Sequence, residues 1–174
     1  KAATGQSERI NTCIGCNQAC LDHVFNGKVS SCLVNPRACE ETRIIIAPAQ
    51  AQKTIAIIGA GPAGLACAVT AAQRGHKVTL YDAGEQIGGQ FNIAKRIPGK
   101  EEFSETLRYF SVMLNELNVT VNFNTYLSTQ QLNDLHVDEL VLATGITPRG
   151  LDIPGHDHAK VISYLDVVKG AYVG

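Results

Sequence analysis

An α/β fold built on a parallel sheet, preceded by a cysteine-rich loop segment, is what this sequence predicts, and three observations predict it. Thr54–Asp82 reads as strand, glycine-rich turn, helix and strand, a βαβ unit whose two strands must run parallel. A later strand within Asp138–Gly145 (DELVLATG) also ends in small residues. Five of the six cysteines fall between Cys13 and Cys39, ahead of that unit and in a stretch with little apolar periodicity.

Taken in order, residues 1–10 are a polar lead-in, and residues 11–40 carry the five cysteines and would have to be organised by metal. Residues 41–53 (ETRIIIAPAQAQK) are an extended connector, since Pro48 excludes a helix through that point. TIAIIG, from Thr54, is a short buried-strand run that stops at glycine. Ala63 to Arg74 is rich in alanine and favours helix, with Gly75 as its C-terminal cap. Lys77–Asp82 (KVTLYD) is the second strand. Phe103, Leu107, Phe110, Leu114 and Leu117 recur every three or four residues, an amphipathic helix over residues 101–117. Residues 119–126 (VTVNFNTY) alternate like a strand, residues 146–160 are a Pro- and Gly-rich loop, and VISYLDVVKG is a short strand leading into a helix. The expected organisation is a cysteine segment over 1–40, a connector over 41–53 and a dinucleotide-type domain over 54–174.

Composition narrows the function classes. The chain has 174 residues, 45% hydrophobic and 18% charged, which suits one globular domain with a small appendage. A formal net charge of −1 offers no basic field for nucleic acid or an anionic membrane. No apolar run approaches the roughly 18 residues that span a bilayer. KAATGQSERI has no apolar core for a signal peptide, so a cytoplasmic location is expected, and clustered cysteines then suggest metal before disulfides. The start at Lys1 and the stop at Gly174, just after a helix-like segment, predict a piece of a longer chain.

Gly59-Ala60-Gly61-Pro62-Ala63-Gly64 follows a strand and opens a helix, the context that gives a GxGxxG pattern its meaning. Gly59 permits the tight turn, Gly61 leaves room for a pyrophosphate, and Gly64 lets the helix pack closely on the strand. The helix N-terminus then presents free N–H groups to phosphate. Asp82 closes the second strand 18 residues after Gly64, where a carboxylate accepts from ribose hydroxyls and repels a 2′-phosphate. A turn aspartate beside a glycine loop without ligand is the plainer alternative. Gly88-Gly89-Gln90 and Ala143-Thr144-Gly145 favour FAD over NAD, because the pair resembles the arrangement in glutathione-reductase-like flavoproteins. There the backbone near Gly89 and Gln90 lies along the flavin, and the Ala-Thr-Gly turn passes near the cofactor.

The cysteines run Cys13-x2-Cys16-x3-Cys20-x11-Cys32. On a short helical turn the first three share one face, and a fourth thiolate from a later loop completes the donors of a four-iron cluster. Gly15 gives the backbone room and an N–H for a sulfide. Structural zinc also takes four cysteines, although zinc ribbons usually supply two Cys-x-x-Cys pairs and only one is present. Cys39 is an alternative to Cys32 as fourth ligand, and Cys67 reads as a small buried residue of the first helix.

Several stretches resemble the bacterial NADPH-dependent 2,4-dienoyl-CoA reductases of the old yellow enzyme-like iron–sulfur flavoproteins. They are Ile10–Gln18 (INTCIGCNQ), Ser31–Cys39 (SCLVNPRAC), Gly88–Ala94 (GGQFNIA) with Ile97–Lys100 (IPGK), and Ser163–Val167 (SYLDV). The resemblance implies a partial glutathione-reductase-like FAD-binding Rossmann domain behind a [4Fe-4S] segment. It implies electron flow from NADPH to FAD, through the cluster to FMN, and onto a dienoyl thioester. Cys13, Cys16, Cys20 and Cys32 would be the cluster ligands. Gly59, Gly61, Ala63, Gly64, Asp82, Gln90 and Lys100 would lie along FAD, with Lys100 pairing a pyrophosphate oxygen. Pro62, Gly89, Ala143, Thr144 and Gly145 complete the expected cofactor-binding set. The FMN barrel with the substrate site, and the NADPH domain, lie outside this sequence. The piece alone is therefore expected to hold FAD weakly and to turn over no substrate. Two readings stand beside this one: a trimethylamine-dehydrogenase-like or enoate-reductase-like flavoprotein, and a non-enzymatic zinc-stabilised nucleotide-binding module.

His156 and His158 sit in a GHDH loop and read as solvated, while His23, His76 and His136 have no partner visible in sequence. No G-x-S-x-G or H-E-x-x-H occurs, so no side chain is named as acid, base or nucleophile.

Overall fold

The computed structural model describes residues 1–173; Gly174, the end of the expected domain, lies outside them. Among the described residues the chain forms helices α1 (Leu21–Phe25), α2 (Pro62–Gln73), α3 (Phe91–Ala94), α4 (Phe103–Glu116), α5 (Thr129–Asn133) and α6 (Tyr164–Lys169). Strands β1 (Thr54–Ile58), β2 (Lys77–Tyr81), β3 (Thr120–Asn122) and β4 (Glu139–Leu142) pair in parallel in the order β3-β2-β1-β4. The α/β parallel-sheet expectation is met.

Register explains the core. Ile57 lies beside Leu80 and Val141, and Leu80 beside Val121, so one face of the sheet is continuously apolar. Leu65, Ala68 and Val69 of α2 pack on it with Leu107, Phe110, Met113 and Leu114 of α4. Those α4 positions fall on the helical period, and each fully buried side chain of this size contributes about 1.5–3 kcal/mol. Gly75 adopts a positive φ of 92° directly after the α2 C-cap Arg74, as the sequence predicts.

Several local expectations are corrected. Residues 119–126 do not form one long strand: β3 ends at Asn122, and Asn124 turns left-handed (φ 52°) so that its N–H reaches Gly84 O and that of Thr125 reaches Asp82 O. VISYLDVVKG yields helix α6, capped by the Ser163 hydroxyl, without a preceding strand. The helix α5 went unpredicted although Ser128 and Gln131 form a capping box. The helical turn expected to place Cys13, Cys16 and Cys20 on one face is not there. Gly15 (φ 64°) and Asn17 (φ 55°) are left-handed, and helix α1 begins only after Cys20.

The connector is extended through Pro48 and tied down at the turn after α2. Ala49 N–H donates to Arg74 O, Arg74 Nε to Ala47 O, and Lys53 N–H to His76 Nδ1. Among the described residues no helix is long and apolar enough to cross a membrane.

Candidate functional site

Four loops meet at the carboxyl end of the sheet. β1 runs into Gly59–Gly61, β2 into Asp82–Gly84, and β4 into Ala143–Gly145, while the Gly88–Gln90 turn folds back against the first of them. Gly59 N–H donates to Tyr81 O at 2.7 Å, Gly88 N–H to Ala60 O at 2.7 Å, and Ala143 N–H to Ile58 O at 2.8 Å. The chain leaves β1 first towards β2 and β3, then returns on the other side as β4. Open α/β sheets bind ligands at such a reversal of strand order.

The glycines have separable reasons. Gly59 has φ 108°, and a Cβ there would overlap the carbonyl of Ala143. A Cβ on Gly64 would overlap the carbonyl of Gly59, which is the close helix-on-strand packing expected of it. A Cβ on Gly88 would stand 2.8 Å from Leu107 Cδ2, so that turn lies directly on α4. One on Gly89 would stand 3.3 Å from Gly61 Cα. Gly61 differs: no other atom of the chain comes within 4 Å of the place its Cβ would take. It is the N-cap of α2, no side chain caps that helix, and Pro62 occupies the first turn with Ala63 exposed beside it. An open backbone approach beside uncapped helix donors is what a pyrophosphate requires. The residues present therefore fit a dinucleotide such as FAD.

Asp82 does more than await a ribose. Its Oδ2 accepts from Ala60 N–H at 2.6 Å and its Oδ1 from Gly84 N–H at 2.7 Å, so the carboxylate ties the glycine turn to the loop after β2. Each oxygen keeps a further lone pair for a hydroxyl. Gln90 Nε2 donates to Ile146 O at 2.9 Å, which closes the Gly88–Gln90 turn onto the segment following Thr144 and Gly145. Lys100 stands with its ammonium 5.5 Å from the Phe103 ring centroid, and Phe103 stacks on Phe91 at 4.9 Å. Lys100 thus has a partner in its own chain.

The thiol segment is drawn together by hydrogen bonds. Asn11 Nδ2 donates to Val34 O at 2.6 Å and Ser31 N–H to Ala19 O at 2.8 Å, which brings the Cys32 segment back against the Cys13–Cys20 turn. Gly15 N–H donates to Cys13 Sγ at 3.4 Å, so the donor expected to serve a sulfide serves a thiol sulfur. Cys39 sits at a left-handed φ of 63° with its N–H taken by Glu41. All six cysteines are free thiols. Among the described residues no three Cys, His, Asp or Glu side chains stand close enough to hold a single metal ion. A four-iron cube spans more space than one ion and takes thiolates that do not touch each other. Free thiols are the donor type that a four-iron cluster takes, and that is the extent of the match.

The histidines read as solvated loop residues serve loop backbone: His156 Nδ1 lies 3.1 Å from Ile153 O, and His158 Nδ1 accepts from Lys160 N–H. Sequence reasoning missed Arg108, whose partners outside its own helix lie in residues 8–12. It also missed a cleft of about 380 Å³ between the cysteine segment and the α2–α4 pair, lined in part by Asn11, Arg37 and Tyr109. Desolvation pushes the Tyr109 hydroxyl above its usual pKa.

A glycine crevice at a strand-order reversal, with an acid closing the second strand, defines a dinucleotide-binding α/β domain. Residues 53–172 match the family described as pyridine nucleotide-disulphide oxidoreductase, and the chain belongs to that family. It is 39% identical to a metal reductase of Desulforamulus reducens, over 98% of this chain and 26% of that protein. It is 33% identical to an N,N-dimethylglycine/sarcosine dehydrogenase of Chromohalobacter salexigens, over 98% and 26%. Among solved structures it is similar to a 2-naphthoyl-CoA reductase in complex with 2-naphthoyl-CoA, with a TM-score of 0.92 and 35% identity over 98% of this chain and 26% of that one. The chain spans about a quarter of the length of these relatives. Residues 53–172 hold a single cysteine, Cys67, so the matched span cannot form a dithiol–disulfide couple of its own.

Proposed function

We propose that this chain is the FAD- and [4Fe-4S]-carrying portion of an NADPH-dependent reductase of unsaturated acyl-CoA thioesters, with 2,4-dienoyl-CoA as substrate. The observation that carries the reading is the joining of two elements. A glycine crevice that fits a dinucleotide lies behind a segment holding five free thiols, and the likeness to the 2-naphthoyl-CoA reductase runs through both, over 98% of the chain. That relative's printed name carries a coenzyme A thioester with an aromatic acyl group, which supports a thioester substrate here.

Within the crevice, Gly59 and Gly64 shape the turn and Gly61 admits the pyrophosphate to the α2 N-terminus. Asp82 accepts from the ribose, and Gly89, Gln90 and the Ala143-Thr144-Gly145 turn border the flavin side. Lys100 supplies positive charge from beside Phe103. Cys13, Cys16, Cys20 and Cys32 would hold the cluster. Bound FAD would accept hydride from a nicotinamide nucleotide and release single electrons. The residues of this chain would bind and orient; no acid or base is named among the predicted site residues, and reduction of the unsaturated acyl group would belong to the barrel of the parent chain.

A second reading is favoured by one observation: the dimethylglycine/sarcosine dehydrogenase matches the same 98% of the chain. In that case the module carries electrons away from an amine. Iron, zinc and flavin content of one anaerobic preparation of the full-length parent tests the common core, with about four irons and bound FAD per chain expected. Oxidation of NADPH on adding a 2,4-dienoyl-CoA then selects the first reading. Dye reduction by a tertiary amine without thioester turnover selects the second. Stoichiometric zinc with no reversible bleaching by dithionite overturns both.

A further inference from the structure

Arg108 belongs neither to the glycine crevice nor to the thiol set, yet it joins them. Its guanidinium donates to Glu8 O at 2.5 Å, Ile10 O at 2.9 Å and Thr12 Oγ1 at 3.4 Å, while its Nε donates to Glu105 Oε2 at 2.7 Å. Thr12 in turn donates to that same Glu105 oxygen at 3.4 Å. Two turns along α4, Glu116 takes Arg9 at 2.7 Å. Two of the acceptors are main-chain carbonyls, so the arginine fixes the path of the backbone and not merely a side chain. The residue after Thr12 is Cys13. On the other side, the neighbour of Arg108 is Leu107, the side chain that lies against Gly88 of the crevice. Adjacent residues of one helix thus hold the entrance to the cysteine turn and the floor of the flavin-side loop. A planar fork of donors suits this geometry, and a lysine ammonium does not reproduce it.

We infer that Arg108, oriented by Glu105, is a positioning residue that fixes the cysteine turn at one separation from the glycine crevice. The inference rests on the electron-relay reading proposed above. Transfer between two redox centres falls off exponentially with their separation, so a strap that holds the separation governs a rate while touching neither centre. With both groups bound, the transfer concerned would be of single electrons from reduced flavin to oxidised cluster, with the flavin's proton passing to solvent and a nicotinamide nucleotide as reductant.

The test uses the full-length parent with Arg108→Gln, Arg108→Lys and, should the first not fold, Glu105→Gln. In Arg108→Gln, amide hydrogen exchange over Ile10–Cys16 should rise about tenfold, while β1 and α2 keep their protection. Iron and flavin contents should stay at wild-type levels. In stopped flow, nicotinamide nucleotide should bleach the flavin at the wild-type rate, and the following reduction of the cluster should slow by about tenfold or more. Arg108→Lys should recover only part of that loss. Wild-type exchange over Ile10–Cys16, equal slowing of both steps, or full rescue by lysine would each overturn the inference. An iron-free wild-type protein would sink the relay reading alone, and the exchange of Ile10–Cys16 in that same protein would still decide whether the strap exists.

Discussion

The cysteine segment and the dinucleotide unit are held by different forces. Among the described residues, every buried apolar side chain except Ile14 lies between Ala56 and Leu114. The dinucleotide unit is fixed by burial and strand register. Residues 1–53 lean on it through hydrogen bonds from Arg108, Arg9 and Arg74, and close on themselves through Asn11–Val34 and Ser31–Ala19. The lesson is that a segment without a core borrows its shape from a neighbour and from whatever its thiols hold, and the two halves should therefore fail under different insults.

The sharpest break between them is metal. Cys32→Ser in the parent should lose essentially all iron while Cys39→Ser keeps it, read by iron analysis, and the β1–α2–β2 amides should stay protected in both. Global unfolding of Cys32→Ser would show that the two regions are one cooperative unit. Next in size is Gly64→Ala. Its Cβ would overlap Gly59 O, and the expected loss is about 3 kcal/mol in urea unfolding of the parent at unchanged iron occupancy in the folded fraction. Asp82→Ala removes the acceptor of two backbone N–H groups, so it should weaken FAD retention and also cost about 1–3 kcal/mol, with iron content unchanged. Unchanged flavin content would remove Asp82 from the site.

Gly61→Ala sharpens the contrast between stability and binding. The position is open and its φ is −73°, so stability should change by less than about 1 kcal/mol while FAD retention falls. A stability loss like that of Gly64→Ala would mean the open space is not ligand space. The smallest effect concerns Asp138, whose carboxyl is held below its usual range by the Thr54 N–H and hydroxyl. A depressed carboxylate contributes stability above its ordinary pKa of about 3.9 and loses it as pH falls through the lower folded value. Asp138→Asn should therefore lower the melting temperature slightly at neutral pH and flatten its decline below about pH 4. The Cys13–Cys20 turn should show no matching change.

What could be read beforehand follows from range. The β1–α2–β2 unit and α4 were legible because period and glycine punctuation are local signals. β3 came out shorter than its alternation suggested because Asn124 turns away to bond Gly84, a partner set by tertiary position. The Cys13–Cys20 turn is not helical because Gly15 and Asn17 are left-handed, a feature that cysteine spacing does not encode. In the site, the geometry shows close helix packing at Gly64 and open space at Gly61. The double duty of Asp82, the Gln90–Ile146 bond and the Arg108 strap needed coordinates, since each joins residues whose proximity only the folded chain creates.

The overlap that a side chain on Gly59 would meet comes from Ala143, at the far end of the sheet's last strand. The phosphate-facing bend is consequently not an autonomous hairpin of sequence. A peptide cut to the fingerprint alone would keep every letter of the motif and lack the wall that moulds it. A nucleotide held in this crevice would therefore report that β4 has docked beside β1.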